Sequence, residues 1–162
     1  MSPKQQQGFS LIELLLVVAI IGIIASIAIP SLLASKRAAN EGSALSAMRS
    51  VHSAQTTYLN TAGAGNYGTL ANLGTESMID SVLASGTKSG YTISCPAGNL
   101  ASGPPPTFFA TAVPANTAPV VRTGNRSFAI ADDGILRGKV TDTAAADHTE
   151  ATTSATWPAL GN

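Results

Sequence analysis

From Leu14 to Ser35 the chain carries no charged side chain. A run of about 22 residues wound at about 1.5 Å per residue makes a helix roughly 33 Å long. The hydrocarbon core of a bilayer is about 30 Å thick, so the run is long enough to cross one. It is built from Leu, Ile, Val and Ala with little else. Apolar on all sides, it offers no polar face to water, and a buried helix of this length and purity would be unusual in a soluble chain of 162 residues.

Three readings fit such a segment: a permanent transmembrane anchor, a secretory signal removed behind the apolar run, or a leader cut off ahead of it. Ser26-Ile27-Ala28 places small side chains where an ordinary signal peptidase prefers them. The basic region in front, however, consists of Lys4 alone, and Glu13 stands at the threshold of the run. An acidic side chain costs about 2.5–3.5 kcal/mol at the centre of a membrane helix and less near its end. A disposable signal has no evident use for it. An ionisable residue in such a place points to a function with a partner.

The segment Gly8-Phe9-Ser10-Leu11-Ile12-Glu13-Leu14-Leu15-Leu16-Val17-Val18-Ala19-Ile20-Ile21-Gly22-Ile23-Ile24-Ala25, continuing through Ala28-Ile29-Pro30, resembles the prepilin cleavage and methylation motif of type IV pilins and type II secretion pseudopilins. The resemblance implies a cut between Gly8 and Phe9 on the cytoplasmic side, followed by N-methylation of Phe9. A small residue at Gly8 suits close approach of a protease to the backbone. The cut creates a cationic amine four residues before Glu13, and positions i and i+4 share a helix face. The resemblance further implies that Glu13 pairs with the Phe9 amine of a neighbouring subunit. Opposite charges in an apolar medium attract strongly and each is costly alone, so such a pair would fix assembly register.

Charge excludes other classes. Lys and Arg together number 9, as do Asp and Glu, for a net charge of zero. Nucleic acid is therefore not expected as the main partner, since phosphate binding draws on clustered cations. Arg122, Arg126, Arg137 and Lys139 are only loosely grouped and read as solvated surface. The single cysteine, Cys95, has no partner for an intramolecular disulfide and reads as a small buried hydrophobe. Many major pilins close a C-terminal loop with a disulfide, and this chain departs from that pattern.

Beyond Pro30, polar residues enter at Lys36, Arg37, Asn40, Glu41 and Arg49. Leu45, Met48, Val51, Gln55 and Tyr58 recur at spacings of three and four, a helical stripe. The expectation is one helix from about Phe9 to about Asn60, apolar in its first half and amphipathic in its second. Gly22 lowers helix stability by about 1 kcal/mol relative to Ala, and Pro30 cannot donate to the Ser26 carbonyl, so a kink is expected there. The family resemblance adds that the stretch between Gly22 and Pro30 loosens in assembled filaments.

Gly63-Ala64-Gly65-Asn66-Tyr67-Gly68 should end the helix. Leu70 and Leu73 are expected in a turn-rich stretch, Ser77–Ala84 in a short helix, and Gly86–Gly90 in a loop. Strands are expected at Tyr91–Cys95, Phe108–Pro114, Ser127–Ile130 and Ile135–Val140, with Pro96–Pro106 a loop. Asp132-Asp133-Gly134 is a hairpin signal. The result is an α+β head, a small antiparallel sheet on the amphipathic half of the helix. Arg49–Tyr58, Leu83–Tyr91, Arg126-Ser127-Phe128 and Asp133-Gly134 are also similar to pilin-like heads. Thr141–Thr156 is Thr/Ala-rich and reads as an exposed tail or loop, pinned by Trp157-Pro158, and its hydroxyls could accept sugars.

No catalytic, cofactor-binding or metal-binding set stands out. His52 and His148 are far apart and read as structural, and no nucleophile triad or phosphate loop has a recognisable context. Asp132 and Asp133 lack the spacing of an EF-hand loop and read as a solvated turn. The organisation expected is a leader at 1–8, a transmembrane or filament-core helix at 9–35, and an α+β head at 36–162. The resemblance implies a type IV pilus subunit with no cofactor, made in the inner membrane. Its partners would be prepilin peptidase, the pilus assembly machinery and further copies of itself in a helical filament. A type II secretion pseudopilin and a secreted binding protein with an ordinary signal peptide are the alternatives.

Overall fold

Helix α1, Leu11–Asn60, dominates the computed structural model, which describes residues 8–96 and 106–160. Residues 1–7 of the expected leader and residues 97–105 of the expected Pro96–Pro106 loop lie outside the described residues. The chain divides into two units, a first ending at Lys36 and a second starting at Arg37.

In the first unit α1 has all of its large apolar side chains from Leu11 to Ile29, and Leu32, exposed. It stays helical through Gly22 and Pro30. The Ser26 hydroxyl donates to the Ile23 carbonyl at 2.7 Å, one way the polar groups of an apolar helix are satisfied within the segment itself.

In the second unit α1 turns a stripe inward. Glu41, Ala44, Ala47, Met48, Val51, Ala54 and Gln55 are buried, at spacings of three, four and one that keep them on one face. Leu45 and Tyr58, also expected on the stripe, flank the core half-buried.

The chain then makes α2 (Leu70–Thr75) and α3 (Ser81–Ala84) before entering the sheet. Both correct the sequence reading. Leu70 and Leu73 lie on a helix because Thr69 caps it reciprocally. The Thr69 hydroxyl accepts from the Asn72 N–H at 3.2 Å, and the Asn72 side chain accepts from the Thr69 N–H at 3.0 Å. The helix expected from Ser77 starts only at Ser81. Ser77 has φ +55, which α-helix excludes, and Asp80 caps the new start by accepting from the Leu83 N–H at 2.7 Å. Val82, expected on its apolar side, is exposed.

Five strands follow: β1 (Thr87–Lys88), β2 (Tyr91–Ser94), β3 (Phe109–Pro114), β4 (Ser127–Ala131) and β5 (Arg137–Lys139). They form one antiparallel meander in the order β1-β2-β3-β4-β5. The stretch expected as a loop at Gly86–Gly90 contributes β1, because Ser89 (φ +50) and Gly90 (φ +74) both take positive φ. That is the requirement of a two-residue hairpin turn whose twist matches its strands. The Asp132-Asp133-Gly134 turn joins β4 to β5 as expected, with Gly134 at φ +70.

Alternation along β3 and β4 sorts side chains to two faces. Ala110, Ala112, Phe128 and Ile130 join Met48, Val51 and the other inward residues of α1 in the main core. Phe109, Ala129 and Ala131 point the other way and meet Ala145, Ala151 and Trp157. The Thr/Ala-rich segment is therefore not an exposed tail. It covers the second face of the sheet and carries a helix, α4 (His148–Thr152). Asp147 caps α4 by accepting from the Glu150 N–H, and Glu150 accepts from the Ala146 N–H, each at 2.7 Å. Trp157 is buried at the centre of the second cluster, and its indole N–H reaches Glu150 at 3.2 Å. Beyond it the chain lies along β5, where Gly138 N–H donates to Pro158 O at 3.1 Å and Leu160 N–H to Leu136 O at 2.9 Å.

Candidate functional site

The chemistry suggested by the sequence is concentrated where α1 begins. Gly8, Phe9 and Ser10 precede the helix, and a side-chain carbon added at Gly8 would meet nothing within 4 Å. Phe9 is 87% exposed.

Glu13 sits at the third helical position, three residues after Ser10. Its Oε2 accepts from the Ser10 N–H at 2.9 Å, while Leu14 N–H donates to Ser10 O at 3.3 Å. Ser-x-x-Glu is the sequence form of a helix capping box. A carboxylate there also faces the positive end of the helix dipole. The chain therefore already holds Glu13 through a backbone N–H beside the expected cleavage point. The Ser10-Leu11-Ile12-Glu13 spacing carries that signal in the sequence.

Behind this cap, α1 is the helix among the described residues that is long and apolar enough to cross a membrane. Its exposed Leu, Ile and Val side chains find no cover within the chain. Water is a poor solvent for such a surface. Gly22 has open space around it, and Pro30 lies inside the helix.

The titratable residues of the head are paired with one another. Asp133 accepts from Arg137 at 2.7 Å and from the Ile135 N–H at 3.0 Å. Burial works to raise the Asp133 pKa, but the hydrogen bonds from Arg137 and Ile135, with the positive charges of Arg137 and His148, outweigh it and hold the carboxyl below its ordinary value. Asp132 pairs with His148 on α4. Both Asp133 oxygens and Asp132 Oδ1 thus have partners within the chain, and among the described residues no group of three metal-ligating side chains forms. Arg122 pairs with Asp142, and Arg126 with Glu41, so the loosely grouped cations are largely neutralised where they stand.

His52 packs its ring 5.9 Å from that of Phe108. Cys95 is buried and free. Burial pushes its thiol up to about 11, against a smaller opposing effect of the Gln55 hydrogen bond. Gln55, read from the sequence only as part of the stripe, is wholly buried. Its amide donates to Gly68 O at 2.5 Å and to Cys95 Sγ at 3.2 Å, and accepts from the Gly68 N–H at 2.9 Å.

A helix whose first half is apolar and long enough to span a membrane, with a small antiparallel sheet in the α+β head that follows, is the arrangement of a pilin fold. Comparison with known families adds the particular signature: residues 3–29 match the prokaryotic N-terminal methylation motif. The chain thus carries the prepilin-type cleavage and methylation signature of type IV pilins and pseudopilins. No curated protein and no solved structure matches it.

Proposed function

We propose that the chain is a structural subunit of a type IV pilus. It is inserted in the inner membrane as a precursor, clipped between Gly8 and Phe9 by prepilin peptidase, and N-methylated on Phe9. The pilus assembly machinery then draws it into a helical filament of identical subunits that serves adhesion, motility or DNA uptake. In this reading residues 1–8 are the leader, 9–35 the transmembrane and later filament-core helix, and 36–162 the amphipathic helix and head.

The observation that carries it is the N-terminal methylation motif at residues 3–29 extending over the start of α1, where every large apolar side chain from Leu11 to Ile29 is exposed. Such a surface suits a precursor in lipid and a product in which other copies replace the lipid. Glu13 then changes partner. Before the cut it accepts from the Ser10 N–H; in the filament it pairs with the Phe9 amine of a neighbour. A charge pair in an apolar core is costly to leave half-made, so a subunit one step out of register is disfavoured. Gly22 and Pro30 mark the stretch where the helix loosens in the filament.

A pseudopilin would share every one of these features. The pairing of Asp133 with Arg137 and of Asp132 with His148 leaves no open acidic loop for calcium at that turn, which favours the pilin. Mass spectrometry of the mature chain tests the processing: a chain starting at N-methylated Phe9 supports it, and one starting near Ile29 overturns it in favour of an ordinary secreted protein. Electron microscopy of material sheared from cells then tests for long surface filaments.

A further inference from the structure

The connection between β3 and β4 is built more firmly than a surface loop needs to be. Thr123 N–H donates to Asn116 O at 3.0 Å, closing it into a small hairpin, and Val121 N–H donates to Ala118 O at 3.2 Å, forming its tip. Three residues on one face of α1 fasten it. Arg37 donates to Pro119 O at 3.3 Å, Asn40 to Thr123 O at 2.9 Å, and Glu41 accepts from the Asn125 N–H at 2.8 Å and from Arg126 at 3.0 Å. What this fixed turn presents is apolar: Val120 is 74% and Val121 56% exposed, next to Ala118 and Pro119.

Position gives those valines a partner. Arg37, which holds the turn, follows the last residue of the uncharged run, Ser35, by two residues of the same helix. At about 1.5 Å per residue that is roughly 3 Å of rise, so the residue that anchors the turn stands just past the uncharged run. Lys36 and Arg37 supply positive charge at the end of that run, suited to anionic lipid headgroups.

We propose that the Ala118–Val121 turn is a membrane foot of the precursor: Val120 and Val121 insert at the lipid interface while Lys36 and Arg37 meet the headgroups. Apolar side chains beside cations dock in this manner about 5–10 Å into the headgroup and acyl boundary. The foot gives the head a second attachment besides the helix, and releasing it is a step that extraction into a filament must include. The inference rests on the membrane-inserted precursor proposed above.

The test uses the full chain in vesicles of phosphatidylethanolamine and phosphatidylglycerol, with part of the lipid brominated near the headgroup end of its acyl chains. Trp157 is buried and sets the unquenched baseline. Val121→Trp is expected to lose roughly half its added emission to bromine, as an indole at interfacial depth would. Ile135→Trp, on the turn at the opposite end of β4, is expected to stay near baseline. Adding Val120→Glu to Val121→Trp is expected to restore most of the emission. Flotation reports insertion separately. A chain that fails to float overturns the membrane span and the foot together; one that floats with Val121→Trp no more quenched than Ile135→Trp overturns the foot alone. Quenching that survives Val120→Glu also overturns it, because the valines would then do nothing. So does an emission shift that depends on protein-to-lipid ratio and ignores bromine, which would place a second copy on the turn.

Discussion

Glu41 on α1 and Arg126 at the start of β4 form an ion pair with Nε and Oε2 3.0 Å apart. Glu41 is only 8% exposed, and the same carboxylate takes the Asn125 N–H. The pair ties helix to sheet next to Tyr91, whose hydroxyl donates to Arg126 O at 2.8 Å. Gly124 makes room for that hydroxyl, since a side-chain carbon there would stand 1.9 Å from it.

Glu41→Ala removes one partner and strands a cation and a backbone N–H. Loss of one member of a buried pair costs about 3–5 kcal/mol. Arg126 keeps partial access to water, so about 2 kcal/mol is expected here. Thermal unfolding of the full chain in detergent measures it, and a midpoint equal to wild type would refute the coupling.

Gln55→Ala should be the costlier change, although it removes no charge. It deprives both the N–H and the C=O of Gly68 of their side-chain partner in a buried site. At about 1–3 kcal/mol for each stranded group, a loss of about 2–4 kcal/mol is expected by denaturant titration. Restoring the amide as Asn, one methylene shorter, should not recover it.

Alkaline pH should weaken the head. The buried Cys95 thiol is raised from 9.0 to about 11, so the folded chain holds its proton more tightly than the unfolded one. Its stabilisation is full below pH 9 and falls as pH rises from there towards 11, by about 2–3 kcal/mol if the whole difference is expressed. Tyr91 is raised as well, by burial first and then by the charge of Glu41, and extends the decline above pH 10. Below that range the thiol should react with a disulfide reagent only at the rate of unfolding. Rapid modification of the native chain at pH 8 would contradict this.

Trp157→Ala opens the second face of the sheet by removing the largest side chain of its cluster. The expected loss is about 3–5 kcal/mol, with new protease cleavage between Thr141 and Thr156. A cleavage pattern unchanged from wild type would show that α4 is held without it.

Glu13→Ala should leave insertion intact and abolish filament assembly. The helix loses its acceptor for the Ser10 N–H, at about 1 kcal/mol in an exposed cap, too little to eject the span. Normal filament yield from this variant would show that the carboxylate has no part in assembly.

The apolar run, the stripe of α1, the strands and the Asp-Gly turn were legible because each rests on local periodicity or turn chemistry. Met48, Val51 and Gln55 repeat at helical spacing, and β3 and β4 are short and β-rich between loop signals. What escaped depends on partners distant in sequence or on caps. Glu41 reads as solvent-facing until Asn125 and Arg126 arrive 84 and 85 residues later. The start of α3 is set by Ser77 taking a left-handed conformation, which composition does not announce. The Thr/Ala-rich segment looked like a tail because its anchors are alanines, whose burial registers only against Phe109 and Trp157. Even so, Asp147 three residues before Glu150 and Ser10 three residues before Glu13 have the spacing of helix N-terminal caps, and each could have located its helix start.

The stretch from Pro158 to Leu160, lying along β5, has a bearing on how copies of this chain can meet. A bare strand invites pairing with the same strand of a neighbour, and subunits stacked at filament density would be under constant temptation to do so. Here one border of the sheet is occupied by the chain's own end. The other is two residues long and carries Lys88, which pairs with Asp80. Growth by strand addition, the route to amyloid, is thereby discouraged.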